Sequence, residues 1–277
     1  MLPDPLFTIF GIEIDMYAIF ILIGLIACFV FTCIAMKKSG YSSSARDTIL
    51  MIGIFAIALG FLCATLTQSI YDFIANPSDG FQFTGKMTFL GGLIGGVVVY
   101  LGLYFLYVYV INPKLKDSNI FKSDMNKGLW ELLRIAPISI TLAHAFGRCG
   151  CFCAGCCGGI ETDAWYGVQF PGEPHKEIPT QLFEAIFLFI LTTVMMVLYF
   201  KFEFKYNMGV YLISYGIWRF FIEFIRGDVV ERGKFVPGLT PSQFWAILMV
   251  IGGVAFFFIY SYFDKKIEAK KLANNEQ

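Results

Sequence analysis

The segment Tyr17–Met36 reads YAIFILIGLIACFVFTCIAM and contains no charged residue. A helix needs roughly 20 apolar residues to cross a hydrocarbon core about 30 Å thick. Six further apolar stretches of sufficient length follow it, at Thr48–Ile74, Met87–Ile111, Leu129–Gly150, Pro179–Phe200, Met208–Arg226 and Pro241–Phe263. The sequence therefore predicts an all-α polytopic membrane protein with about seven transmembrane helices.

The composition agrees with a membrane protein. Of the 277 residues, 57% are hydrophobic and 15% are charged, whereas soluble domains carry about 25% charged residues. The formal net charge is zero, so no nucleic-acid partner is expected. No stretch between the spans is long enough for a separate soluble domain. We therefore expect residues 1–277 to form a single integral membrane domain.

The distribution of lysine and arginine predicts the orientation. Thirteen of these residues follow spans one, three, five and seven. The other side carries only Lys86, Lys176, Arg226, Arg232 and Lys234. Basic residues accumulate in cytoplasmic loops. The N-terminus is therefore predicted to lie outside, with 1–16 as an outer-face segment and 264–277 as a cytoplasmic tail.

The N-terminal residues Met1–Asp15 contain no lysine or arginine. A cleavable signal peptide begins with a basic region, so none is predicted, and the first helix should remain in the mature protein. Leu2–Asp15 is amphipathic. It either lies flat on the outer interface or forms a loose leader.

Span six carries charged residues that are costly in a bilayer. Tyr215, Arg219, Glu223 and Arg226 follow one another at spacings of four, four and three, which places them on one helical face. A charged residue near a span centre costs roughly 2.5–3.5 kcal/mol on insertion scales, so such residues usually face the protein interior. Pairing of Arg219 with Glu223 across one turn would lower the cost of both.

Polar residues of two other spans are predicted to lie in the same layer. Arg148 closes span four, and Gln181 and Glu184 lie in the first two turns of span five. If the spans alternate in direction, all of these residues lie near the outer face. They form either an ion-pair network that ties the helices together or a ligand site. Two guanidinium groups suit a phosphate, which each can bind through two hydrogen bonds.

Two further features each have two interpretations. Gly91 and Gly92 open span three in the string FLGGLIGG, and such small residues either pack helices closely or let a lipid headgroup rest on bare backbone. His144 lies four residues before Arg148. It is either a hydrogen-bonded core residue or a general base.

Five of the eight cysteines are clustered between positions 149 and 157. A metal site is one interpretation, although Cys153 and Cys156 form a single CxxC with no second half. A disulfide or redox pair on an oxidising outer side is another. The third is a tight turn of small residues with unpaired thiols. No metal or cofactor is expected. The cluster comprises Cys149, Cys151, Cys153, Cys156 and Cys157.

Motifs along nearly the whole chain resemble the prolipoprotein diacylglyceryl transferase family. They are GGLIG at 91–95, GRCGCFCAGCC at 147–157, PTQLFE at 179–184, YGIWRFFIEFIR at 215–226 and LTPSQ at 239–243. The resemblance implies a seven-helix enzyme at the outer face of the bacterial inner membrane. Members transfer the diacylglyceryl group of phosphatidylglycerol to the lipobox cysteine of a prolipoprotein, forming a thioether and releasing glycerol phosphate.

The resemblance also implies roles for particular residues. Arg148 matches the arginine of the Gly-Arg signature, Arg219 and Glu223 match an essential arginine and glutamate, and Tyr215 matches a tyrosine. With His144 as the candidate base, these are the expected catalytic residues. Phosphatidylglycerol, the prolipoprotein signal peptide and membrane lipids are the expected partners. The residues expected to bind substrate are Gly91, Gly92, Gln181, Glu184 and Arg226.

The chain departs from the family pattern at three places. Leu90 occupies the position of a histidine before the Gly-Gly-Leu motif, and residues 59–65 read LGFLCAT where the family has an arginine-containing motif. Cys151 stands where the Gly-Arg signature has an asparagine. These departures leave two alternatives open: a phospholipid headgroup transferase with another acceptor, and an inactive lipid-binding paralogue.

Overall fold

The computed structural model describes residues 5–9, 12–83, 87–116, 122–123, 128–227 and 238–275. Lys86, Arg232 and Lys234, three of the basic residues assigned to the outer side, lie outside the described residues. Within the described part, seven helices are long and apolar enough to cross a membrane, which confirms the predicted fold class. They are α1 (Met16–Lys38), α2 (Ser43–Ala75), α3 (Phe89–Leu106), α4 (Gly128–Ala154), α5 (Thr180–Phe202), α6 (Asn207–Ile222) and α7 (Pro241–Asn275).

The surface of α1 shows why these helices need lipid as solvent. Leu22, Ile26, Val30 and Ile34 recur every four residues, and each is between 54% and 57% exposed. Residues four apart share one helical face. An apolar stripe of this length is unstable in water but suits the hydrocarbon core.

The ends of the chain differ from the sequence-based prediction. Strands β1 (Phe7–Ile9) and β2 (Ile12–Ile14) pair antiparallel, so the described part of the amphipathic N-terminal segment is a hairpin. At the other end, α7 continues to Asn275 instead of ending at Phe263. The predicted tail is therefore mostly helical, because no proline or glycine after Phe263 ends the helix.

One compact unit, Cys33–Gly128, contains α2 and α3. Helix α2 begins at Ser42, whose hydroxyl accepts a hydrogen bond of 3.2 Å from the Ala45 amide, as is typical of an N-cap. The two helices approach through small residues. A Cβ atom on Gly92 would lie 3.0 Å from the Ala64 Cβ, and one on Gly60 would lie 3.3 Å from the Gly96 Cα. This contact is the close helix packing expected of small residues in membranes.

The second compact unit comprises residues 1–32 and 129–277, and thus most of α1 together with α4, α5, α6 and α7. Glycines again permit close approach between its helices. A Cβ atom on Gly150 of α4 would lie 3.1 Å from the Tyr17 ring, and one on Gly216 of α6 would lie 2.8 Å from the Ala246 carbonyl oxygen. Phe187 of α5 and Trp218 of α6 stack with ring centroids 4.4 Å apart.

Backbone hydrogen bonds join three helix ends in this unit. The chain after α4 passes between the start of α5 and the end of α6. The Gly159 amide donates to the Ile178 carbonyl at 2.8 Å, and the Ile160 amide donates to the Ile225 carbonyl at 2.9 Å. A Cβ atom on Gly159 would lie 2.6 Å from the Ile225 carbonyl oxygen, so only glycine fits there. A short hairpin of β3 (Val168–Gln169) and β4 (Lys176–Glu177) lies between these contacts.

Candidate active site

Glu184 of α5 is the centre of a buried polar network. Its side chain is 1% exposed, and it accepts a hydrogen bond of 2.8 Å from the Tyr215 hydroxyl of α6. The Arg148 Nε atom of α4 lies 3.0 Å from Glu184 Oε2. The expected convergence of Arg148 and Glu184 from two different spans is therefore confirmed.

His144 lies in the same network, one helical turn before Arg148. Its Nε2 atom is 3.8 Å from Glu184 Oε1, and its ring packs edge-on against Tyr215 with centroids 5.2 Å apart. The side chain is 16% exposed. It thus touches two of the residues predicted to act on the substrate.

Arg219 and Glu223 form the second ion pair of the site. The Arg219 Nη2 atom lies 3.1 Å from Glu223 Oε2, which confirms the pairing expected from their spacing. The same Nη2 atom donates to the Ser242 hydroxyl at 2.9 Å. Nη1 of Arg219 is buried and donates no hydrogen bond to any residue that the structure describes. A buried donor of this kind is suited to bind an anion.

The start of α7 supplies residues that the sequence analysis did not assign. Thr240 and Gln243 form a reciprocal cap: the Gln243 amide donates to the Thr240 hydroxyl and the Thr240 amide donates to Gln243 Oε1, both at 3.2 Å. The Thr240 hydroxyl also donates to Glu223 Oε1 at 2.9 Å. The T-x-x-Q spacing of the LTPSQ motif is a capping-box signal and could have identified this helix start.

Arg226 does not lie on the helical face that its spacing predicted. Helix α6 ends at Ile222, and a 3₁₀ turn over Glu223–Ile225 carries the chain into extended backbone at Arg226. There Arg226 pairs with Gly159 in an antiparallel bridge. The tighter 3₁₀ turn changes the direction of the side chain relative to Arg219. Arg226 is nevertheless buried, with 5% exposure.

Gln181 supports the turn that follows α4. Its Nε2 atom donates to the Cys156 carbonyl at 2.6 Å, while its buried Oε1 accepts no hydrogen bond from any described residue. Gln181 was predicted to bind substrate. In the structure it holds the turn after α4 in place. Gly91 and Gly92 belong to the other compact unit, where Gly91 packs on Thr67 and Gly92 on Ala64 of α2.

The cysteine cluster is helical in its first half. Cys149, Cys151 and Cys153 lie in the last turns of α4, because that helix extends four residues past its predicted end at Gly150. Cys156 and Cys157 lie in the turn that follows. All eight cysteines are free thiols. Hydrogen bonds from the Cys151 and Cys156 thiols, and then the charges of Arg226 and Arg148, lower the pKa of the Cys157 thiol.

The unused donor of the site favours an anionic ligand. Arg148 pairs with Glu184 and Arg219 pairs with Glu223, and the two glutamates are each 1% exposed. Nη1 of Arg219 is a buried donor with no acceptor among the described residues. A buried donor without an acceptor is costly, so an anion such as a phosphate that accepts from it would complete the network. Guanidinium groups can also stabilise a phosphate that gains charge as a leaving group.

Comparison with known proteins agrees with the motifs and the architecture. The family model for prolipoprotein diacylglyceryl transferase matches residues 4–259. The phosphatidylglycerol–prolipoprotein diacylglyceryl transferase of Clostridium tetani is 31% identical over 258 residues, which cover 91% of this chain and 95% of the relative. The protein of that name in Clostridioides difficile is 32% identical over 267 residues, covering 94% and 95%. This chain belongs to the prolipoprotein diacylglyceryl transferase family.

Proposed function

We propose that this protein transfers the diacylglyceryl group of phosphatidylglycerol to the lipobox cysteine thiol of prolipoproteins. The observation that carries the proposal is the meeting of α4, α5 and α6 in one network, where Arg148 pairs with Glu184 and Arg219 pairs with Glu223. Membership of the family supports the reaction and both substrates.

The reaction places two demands on the protein. The acceptor sulfur forms a bond to the glyceryl carbon while the bond from that carbon to the phosphate oxygen breaks, and the electron pair leaves with glycerol phosphate. A thiol is only a few per cent ionised near pH 7, so its proton must be removed. Arg148 and Arg219 are assigned to the leaving phosphate, and Glu184 and Glu223 hold their guanidinium groups in place.

The location and orientation belong to the same proposal. Basic residues follow the odd-numbered spans, which supports an N-terminus outside and a C-terminus in the cytoplasm. In that orientation the polar network lies toward the outer face of the bacterial inner membrane. Residues 1–277 act as one integral membrane domain, and no nucleic-acid partner is involved. Gly91, Gly92 and Arg226 are proposed to contribute to binding of the lipid headgroup.

A second function is favoured by two sequence features. Leu90 replaces the family histidine, and the Gly-Arg signature contains Cys151 in place of asparagine. A phospholipid headgroup transferase with another thiol, amine or alcohol acceptor would accommodate both changes. An inactive lipid-binding paralogue is the third alternative. Complementation and phosphatidylglycerol turnover together distinguish the three.

Expression of this protein is expected to restore growth in a strain depleted of its own diacylglyceryl transferase. Lipidated prolipoprotein should accumulate, measured by the mobility and mass of a reporter lipoprotein. Failure despite good expression in the membrane would contradict the transferase proposal. Turnover of phosphatidylglycerol by the purified protein would then indicate another acceptor, and absence of turnover would indicate the inactive paralogue.

His144→Gln is expected to lower turnover by about 100-fold, the lower range for loss of a general base. His144 is the candidate because its Nε2 atom lies 3.8 Å from Glu184 Oε1, and that carboxylate would stabilise the imidazolium formed on proton uptake. The measurement is diacylglyceryl transfer to a lipobox peptide at saturating lipid. Full turnover of the variant would rule out His144 as the base.

A further inference from the structure

Three cysteines converge at the end of α4, next to the proposed active site but without a role in it. Cys151 lies in the last turn of the helix, and Cys156 and Cys157 lie in the turn that follows. The three sulfur atoms all lie within 4.8 Å of one another. The CxxC of Cys153 and Cys156 was the metal-site interpretation of the sequence, but the fold brings together a different set of thiols.

The spacing of these sulfurs fits a shared metal ion. Zinc binds thiolate sulfur at about 2.3 Å in tetrahedral geometry, which places ligand sulfurs about 3.7 Å apart. The observed separations require at most a movement of about 1 Å on binding. Cys156 is exposed, whereas Cys151 and Cys157 are half-buried. The site is thus open to an entering ion from one side.

A disulfide explains the arrangement less well than a metal. A disulfide uses two sulfurs and would leave the third without a function. Cys156 and Cys157 are adjacent, so their Cα atoms are about 3.8 Å apart, below the usual range for disulfides. Convergence of three thiols on one point is what a three-thiolate metal site requires.

The turn that carries two of the thiols is held firmly in an unusual conformation. Cys157 has a φ of 65°, a left-handed conformation that is unfavourable for a residue with a side chain. Two buried residues at the start of α5 hold it there. The Thr180 hydroxyl donates to the Cys157 carbonyl at 2.9 Å, and the side-chain Nε2 of Gln181 donates to the Cys156 carbonyl at 2.6 Å. Ligands to metals are typically oriented by such supporting hydrogen bonds.

The charges around the cluster suit a metal bound by thiolates. Three thiolates and one divalent cation carry a net charge of minus one. Arg148 and Arg226 lie close enough to act electrostatically on Cys157. The positive charge of these two side chains would favour a metal–thiolate centre beside them.

We propose that Cys151, Cys156 and Cys157 bind a thiophilic divalent cation of the zinc type, with the fourth coordination position open to an external thiol. Three protein ligands with an open position are typical of zinc sites that bind a substrate or water. If the proposed function holds, the external thiol is the acceptor cysteine. On coordination that thiol gives its proton to solvent or to His144, and its sulfur remains the nucleophile.

The test uses the full-length protein purified in detergent under reducing conditions, with Zn²⁺ as the probe. Elemental analysis should give about one zinc per chain, with tight binding against a competing chelator. Cys151→Ser should lose zinc. Cys153→Ser is the matched control, because Cys153 lies on the same helix but is not one of the three converging thiols, and this variant should retain zinc. Absence of stoichiometric zinc in the parent protein, or equal zinc in both variants, would overturn the proposal.

The open position is tested with Co²⁺ in place of Zn²⁺. A lipobox peptide containing cysteine should change the visible absorption of bound Co²⁺, and the same peptide with serine should not. No spectral response to the thiol would overturn the open coordination position. If zinc and the spectral response are present but lipid transfer is absent, the proposed function fails and the metal site stands. If lipid transfer is intact but the protein contains no zinc, the metal site is wrong and the proposed function stands.

Discussion

Arg148→Gln and Arg219→Gln are each expected to lower diacylglyceryl transfer by about 100- to 1,000-fold, the usual effect of removing one preorganised group that stabilises developing charge. The physical reason is that the leaving phosphate gains charge as the bond to carbon breaks. Each arginine is fixed by a buried glutamate, at 3.0 Å for Arg148 and 3.1 Å for Arg219. The measurement is transfer from phosphatidylglycerol to a lipobox peptide, with kcat and KM determined separately.

Arg134→Gln is the matched control for this experiment. Arg134 is also an arginine of α4, and it forms an ion pair with Glu131 at 2.7 Å and donates to the Glu203 carbonyl at 2.9 Å. Its partners are distinct from those of the polar network, so transfer should be unchanged. Arg148→Lys adds a second comparison, since lysine keeps the charge but loses the two-point geometry. Retained activity after both Arg148 and Arg219 become glutamine would show that neither guanidinium stabilises the leaving phosphate.

Glu184→Gln is expected to be the most damaging change to stability in the polar network. It leaves the Arg148 guanidinium without its carboxylate in a buried position, which typically lowers the free energy of unfolding by about 3–5 kcal/mol. It also weakens the hydrogen bond from Tyr215. The measurement is thermal unfolding of the purified protein in detergent, together with transfer activity.

Tyr215→Phe separates the two contributions of Glu184 to stability, which are its ion pair with Arg148 and its hydrogen bond from Tyr215. This variant removes one hydrogen bond to a charged acceptor, worth about 1.5–3 kcal/mol, and leaves the ion pair with Arg148 intact. It should therefore unfold at a temperature between those of the parent protein and Glu184→Gln. Equal stability of the parent and Glu184→Gln would show that the network does not tie α4 to α5.

Much of this architecture follows from the sequence, because a bilayer demands long apolar helices. Each of the seven spans is a continuous apolar stretch, and Arg219 and Glu223 are one helical turn apart. Both features are therefore visible in the local sequence. The pairing of Arg148 with Glu184 joins different helices, and the alternation of the spans predicted only that both residues lie in one layer.

Other features depended on details that spacing does not encode. The 3₁₀ turn at Glu223–Ile225 moved Arg226 away from its predicted face. The contacts of Thr240 and Ser242 with the second ion pair depend on where α7 starts relative to α6. The convergence of Cys151 with Cys157 depends on the helix continuing to Ala154 and on a left-handed residue in the turn. These are tertiary consequences of packing and loop geometry.

The length of α7 has a practical consequence for work on this protein. Its 35 residues span about 52 Å at a rise of 1.5 Å per residue, whereas the hydrocarbon core is about 30 Å thick. Unless the helix is strongly tilted, its last turns stand well clear of the lipid headgroups. An affinity tag fused after residue 277 is thereby held away from the detergent belt and remains accessible to a resin.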